Sequence, residues 1–164
     1  MKKAIEISFG FIFSLIIVAI TVFVAVWAIK QFIDIRDRTA IQAGIKDIEN
    51  TIKDMFFVTE ARETKSFYFP SAVEYICFIN YSSMNNLNQY IRSELNKYGS
   101  SLLNKNNLFI IPYKTKLKYK VQGSYLIKCG EVNCLKLINS ICFKNINNKV
   151  KITFKKDAEG IYIE

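Results

Sequence analysis

Residues 7–29 read ISFGFIFSLIIVAITVFVAVWAI, 23 residues without a charge, and residues 30–56 continue as KQFIDIRDRTAIQAGIKDIENTIKDMF with no proline to stop a helix. At about 1.5 Å per residue the uncharged run spans roughly 35 Å, enough to cross a hydrocarbon core of about 30 Å with some tilt. A secretory signal is the rival reading, but its apolar region runs about 7 to 15 residues and ends at a small-residue cleavage site. Here the run closes on Val26-Trp27-Ala28-Ile29-Lys30, where Trp27 suits an interfacial aromatic and Lys30 a cation reaching for water. The stretch reads as a retained single-pass anchor in the cell membrane, with membrane lipid as its first partner.

Past the anchor, apolar residues recur at Ile29, Phe32, Ile33, then Ile41, Ile45, Ile48, Ile52, Met55 and Phe56, a spacing of three and four that draws one stripe along a helix. Asp37, Arg38, Gln42, Lys46, Asp47, Glu49, Asn50 and Lys53 fall on the water-facing side. The stripe must cover either the protein's own sheet or the helices of neighbouring copies. Gly44 weakens this helix by about 1 kcal/mol relative to alanine. The plan is a tail and transmembrane anchor over residues 1–30, an amphipathic continuation over 31–63 and a head over 64–164. Positive charge is nearly balanced across the anchor, with Lys2 and Lys3 against Lys30, Arg36 and Arg38. A short tail is readily kept inside while the long part crosses, and four cysteines suit an oxidising compartment, so the head is placed outside the cytoplasm.

From about Thr64 the period changes from helix to strand. Phe67 to Phe69 and Val73 to Ile79 read as strands separated by Pro70 and Ser71. Ser82 to Tyr98 reads as one short helix closed by Gly99, and Asn104 to Asn107 as a polar loop. The remainder reads as short strands at Leu108–Ile111, Lys116–Gln122, Tyr125–Cys129, Leu135–Asn139, Ile141–Lys144, Val150–Phe154 and Ile161–Ile163, joined by turns. Spacing this short implies hairpins, so the fold class is α+β: a long N-terminal helix, then a small head with one short helix and a mainly antiparallel, meandering sheet.

Chemistry is bounded chiefly by absence. The 164 residues contain no histidine, which removes the usual general base and the commonest metal ligand, and no phosphate-binding glycine motif or nucleophile elbow occurs. No enzymatic activity, catalytic residue, cofactor or metal is expected. Cys129 and Cys134 flank a four-residue turn and suit a clip across a hairpin end. Cys77 and Cys142 lie in two similar segments, Tyr75–Asn80 and Ser140–Asn145, and either join them or serve as small buried apolar groups. Asn80-Tyr81-Ser82 fits the N-glycosylation pattern, which has meaning only on an exported surface.

A net charge of +9 permits contact with nucleic acid, anionic lipid or an acidic polymer. Lys116, Lys118 and Lys120 alternate with Leu117, Tyr119 and Val121, and Lys149, Lys151 and Lys155 with Val150, Ile152 and Phe154, so each segment has a lysine face. The first of these is the candidate anion-binding face of an anchored extracytoplasmic binding module, the alternative function. Lysines on a sheet also confer solubility and discourage edge pairing, and without interleaved arginine nucleic acid is the weaker partner.

Lys2-Lys3-Ala4-Ile5-Glu6, followed directly by an apolar helix that turns amphipathic and then by a β-rich head, resembles archaeal type IV pilin-like proteins. The resemblance implies a structural or minor subunit of a cell-surface filament or secretion-type assembly, with homo- or hetero-oligomeric pilin-like subunits as partners. It also implies that Lys2 and Lys3 are leader residues and that Glu6 is an assembly glutamate. The leader is only two or three residues long, and the small residue followed by glutamine that usually marks archaeal cleavage is missing.

Overall fold

A computed structural model describes residues 9–112, 124–127 and 135–164. It has a long apolar N-terminal helix followed by a small head of short helices and antiparallel sheets, and so belongs to the α+β class. Helix α1 runs Phe9–Phe56 and ends without glycine or proline. Its last turn tightens instead, Phe57 N donating to Asp54 O (3.4 Å) and Val58 N to Met55 O (3.2 Å). The chain divides into two compact units, Met1–Arg36 and Asp37–Glu164. In the first, side chains from Phe11 to Ile29 are exposed all round, and the helix is long and apolar enough to cross a membrane.

The second unit contains the rest of α1 and the head. Strands β1 (Ala61–Tyr68), β6 (Lys149–Asp157) and β7 (Gly160–Ile163) form one antiparallel sheet in the order β1-β6-β7. Strands β2 (Tyr75–Phe78), β3 (Leu108–Ile111), β4 (Ser124–Tyr125) and β5 (Ile141–Lys144) form a second, in the order β4-β3-β2-β5. The single meander expected from the sequence is therefore two sheets, because β5 and β6 part company at the turn between them. Asn147 (φ 52°) and Asn148 (φ 63°) make that turn, and Ile146 and Lys149 exchange backbone hydrogen bonds of 3.0 Å across it. Two successive left-handed residues are the signature of a tight hairpin that matches strand twist, and asparagine tolerates the conformation better than most side chains.

Strand alternation splits the interior in two. Ile76, Phe78, Leu108 and Ile110 share a cluster with Val150, Ile152, Phe154 and Ile161 of the other sheet, and with Ile41, Ile45, Ile48, Ile52 and Met55 of α1. The α1 stripe beyond Ile41 is thus covered by the protein's own head. The opposite residues of the four-stranded sheet, Cys77, Phe109 and Ile111, pack with Ile79, Met84, Ile91, Leu95, Tyr98 and Leu103 from the short helices and their connections. β2 and β3 are apolar on both faces because both faces are covered.

Gly44 has a reason that its helix propensity hides. A Cβ there would lie 2.8 Å from Tyr68 O and 2.9 Å from the Phe69 ring, so the helix backbone approaches the end of β1 through the space glycine leaves. The segment expected as one helix over Ser82–Tyr98 is a 3₁₀ turn (Tyr81–Asn86) followed by α2 (Gln89–Asn96). The break falls at Asn88, whose side chain accepts from Ile91 N at 2.8 Å and so caps α2 as a new start. Gly99, at φ 79°, precedes a further helix, α3 (Ser100–Lys105), which takes in the first residues expected as a polar loop. Leu135–Asn139 makes only an isolated bridge, Leu135 to Ile161, rather than a strand. The amphipathic continuation was expected to reach residue 63, but β1 already begins at Ala61.

Candidate functional surfaces

The cysteines are partly resolved. Cys77 and Cys142 are directly opposed in the β2–β5 register and form a disulfide. It closes a sequence separation of 65 residues, for which loss of unfolded-state freedom stabilises the fold by about 4 kcal/mol on the chain-entropy account. Cys129 and Cys134 lie outside the described residues, as do Glu6 and the lysine face of Lys116, Lys118 and Lys120. Trp27 and Lys30 sit on α1 as exposed side chains three residues apart, on neighbouring positions of one helical turn.

Asn80, read from the sequence as a possible glycan acceptor, has a structural part in the fold. Its Nδ2 donates to Leu137 O at 2.7 Å, and its Oδ1 accepts from Ser82 N at 3.1 Å, capping the 3₁₀ turn. Ser140 joins the same network: its Oγ donates to Asn80 O (2.8 Å) and its N–H donates to Ser83 Oγ (2.7 Å). Asn80 therefore ties the 3₁₀ turn to the segment entering β5.

The second lysine face read from the sequence, Lys149, Lys151 and Lys155, lies on the three-stranded sheet, where β1 adds Arg62 and Tyr68 to it. In β6, Val150, Ile152 and Phe154 are buried while Lys149, Lys151 and Lys155 are exposed. The register sets Lys149 beside Tyr68, Lys151 beside Ser66 and Lys155 between Arg62 and Tyr162, all on one face. Tyr68 is 58% exposed. Thr64 and Thr153 share a 2.9 Å hydroxyl contact midway along, which fixes the side to which these residues project. Arg62 and Tyr68 were missed because β1, reading ARETKSFY, lacks apolar alternation; only pairing with β6 identifies its outer residues.

Acidic groups meet this face at one end. Arg62 pairs with Glu164 at 2.8 Å, and Lys136 bonds Glu159 while lying 6.0 Å from the centre of the Tyr162 ring. The Lys136 contact holds the Glu159 carboxyl below its usual range, and that carboxylate raises the Lys136 ammonium. Nearby, Glu60, Ile138, Ile141, Asp157 and Ile163 line an open cavity of about 770 Å³ with mixed walls. Among the described residues no group of three or more acidic, cysteine or histidine side chains could hold a metal ion. Comparison of the chain with protein-family models, with curated proteins and with solved structures finds no match, so its function rests on the residues themselves.

Proposed function

We propose that this chain is a single-pass, membrane-anchored, pilin-like structural or minor subunit of a cell-surface filament or secretion-type assembly, with its head outside the cytoplasm. The observation that carries the proposal is the contrast within α1. Residues 11–29 expose apolar side chains in every direction, and Phe32 (70% exposed) and Ile33 (43%) extend that apolar surface past Lys30. Lipid satisfies the first part. Apolar groups beyond the interfacial Trp27 and Lys30 favour a neighbouring helix as their cover. The Cys77–Cys142 disulfide agrees with an exported head.

The test is capture of self-contacts in the native membrane with a photo-reactive amino acid placed at Ile17, Phe32 or Gln42. Adducts between copies from the first two positions, and none from Gln42, are expected. A strictly monomeric product at all three sites sinks the assembly reading and leaves a tethered head. In the assembly reading Glu6 pairs with the amino terminus of an adjacent subunit, so Glu6→Gln lowers adduct yield, and an unchanged yield removes Glu6 from the mechanism.

A further inference from the structure

We propose that the outer face of the β1-β6-β7 sheet binds single-stranded nucleic acid along its backbone. A lysine row on a sheet serves solubility or edge protection, and β6, the central strand of the three, has no edge to protect. Its exposed Lys149, Lys151 and Lys155 share one face, separated along the strand by about 7 Å and then about 13 Å, with Thr153 between the last two. Arg62 widens the row at the Lys155 end. No ion pair holds Lys149, Lys151 or Lys155 among the described residues; of the carboxylates at the end of this face, Glu164 is matched to Arg62 and Glu159 to Lys136.

A linear row of ammonium groups suits a flexible chain that bears regular negative charge, since each lysine acts as a point charge toward phosphate. Tyr68 narrows the partner further. It is the exposed aromatic beside the first lysine, and a tyrosine plane flanked by cations is how proteins stack an unpaired base without reading its sequence. Ser66, Thr64 and Thr153 lie between the cations and add hydroxyls that can bond phosphate or sugar oxygens. An acidic polysaccharide supplies the charge but no aromatic ring for Tyr68. A lipid surface calls for aliphatic side chains around the cations, and the residues that register places on this face include none, its apolar surface being the two tyrosines Tyr68 and Tyr162. The inference is independent of assembly, since a monomer would present the same face.

The experiment titrates the full-length chain, in neutral detergent micelles, against a labelled thymidine oligomer of about 12 nucleotides over a salt series. Three or four phosphate contacts give a slope of log affinity against log salt of roughly −2 to −3. Lys149→Gln, Lys151→Gln and Lys155→Gln together are expected to weaken binding at least about tenfold and to flatten that slope. Tyr68→Ala weakens it about tenfold with the slope kept, because stacking releases no counterions. Lys46→Gln, at an exposed position of α1, with Lys53→Gln, half-buried and paired with Glu49, changes neither. The proposal is overturned by no binding, by a triple variant that binds like the parent, or by the α1 pair costing as much as the triple. It is equally overturned if a polyuronate or anionic vesicles displace the oligomer at equal charge.

Discussion

Two stretches of one helix, residues 11–29 and 41–55 of α1, are both rich in isoleucine, yet one exposes its apolar groups on every side and the other buries a single row of them. What separates them is period rather than hydrophobicity. An unbroken apolar run has no polar side to turn toward water, so it asks for an apolar medium. A three-and-four stripe asks for one covering surface, and the head supplies it with Phe67, Phe69, Val150, Ile152 and Phe154.

The largest expected effect lies wholly on the buried side of this comparison. Replacing Cys77 and Cys142 by serine removes the cross-strand bond and should lower the head's stability by about 4 kcal/mol. Urea unfolding followed by near-ultraviolet tyrosine signals reads the head, while fluorescence of the sole tryptophan, Trp27, reads the apolar stretch and should not move. A Trp27 transition that shifts with the head's would break the distinction. Next, Ile48→Ala, at a fully buried position, is expected to cost the head about 3 kcal/mol, whereas Ile17→Ala costs it nothing measurable. Equal losses would show that the two stretches share one solvent.

Gly44→Ala sharpens the contrast more finely. Alanine improves helix propensity by about 1 kcal/mol, but its Cβ must push against Tyr68 O, and crowding of this kind costs about 1 to 3 kcal/mol. Net destabilisation of the head by about 1 to 2 kcal/mol is expected, while Gly10→Ala leaves it unchanged; a gain at Gly44 would place the helix farther from β1. The smallest effect is confined to high pH. The hydrogen bond from Tyr90 Oη to Glu74 Oε2 (2.7 Å) favours the protonated phenol and pushes its pKa up from 10.0 to about 12. The stabilisation is therefore present below pH 10 and fades as pH rises through 12, because the unfolded chain gives up this proton first. Tyr90→Phe should remove that part of the alkaline stability loss and leave the apolar stretch untouched, as a pH series of the same melts would record.

Much of the architecture was legible where local chemistry decides it. Leu108–Ile111 and Ile141–Lys144 begin and end where the sequence places them, because apolar runs bounded by Asn107 and Pro112, or by Ser140 and Asn145, leave little choice. The α1 stripe was equally readable, but not which of its two candidate covers it meets. Partition into two sheets was hidden, since it depends on which strands pair across distant sequence. Asn88 was a visible cap that reading Ser82–Tyr98 as one helix masked. Nothing local distinguishes Lys149, Lys151 and Lys155 as an open central row from an edge; only the β1 and β7 partners do so.

The bond between Cys77 and Cys142 also changes what cutting the chain can do. A protease acting once anywhere between these residues leaves both pieces attached, so the product migrates as intact protein until a reductant is added. Damage to the middle of the head is then invisible on a non-reducing gel, and the fragment bearing the helix keeps the C-terminal sheet strands it packs against.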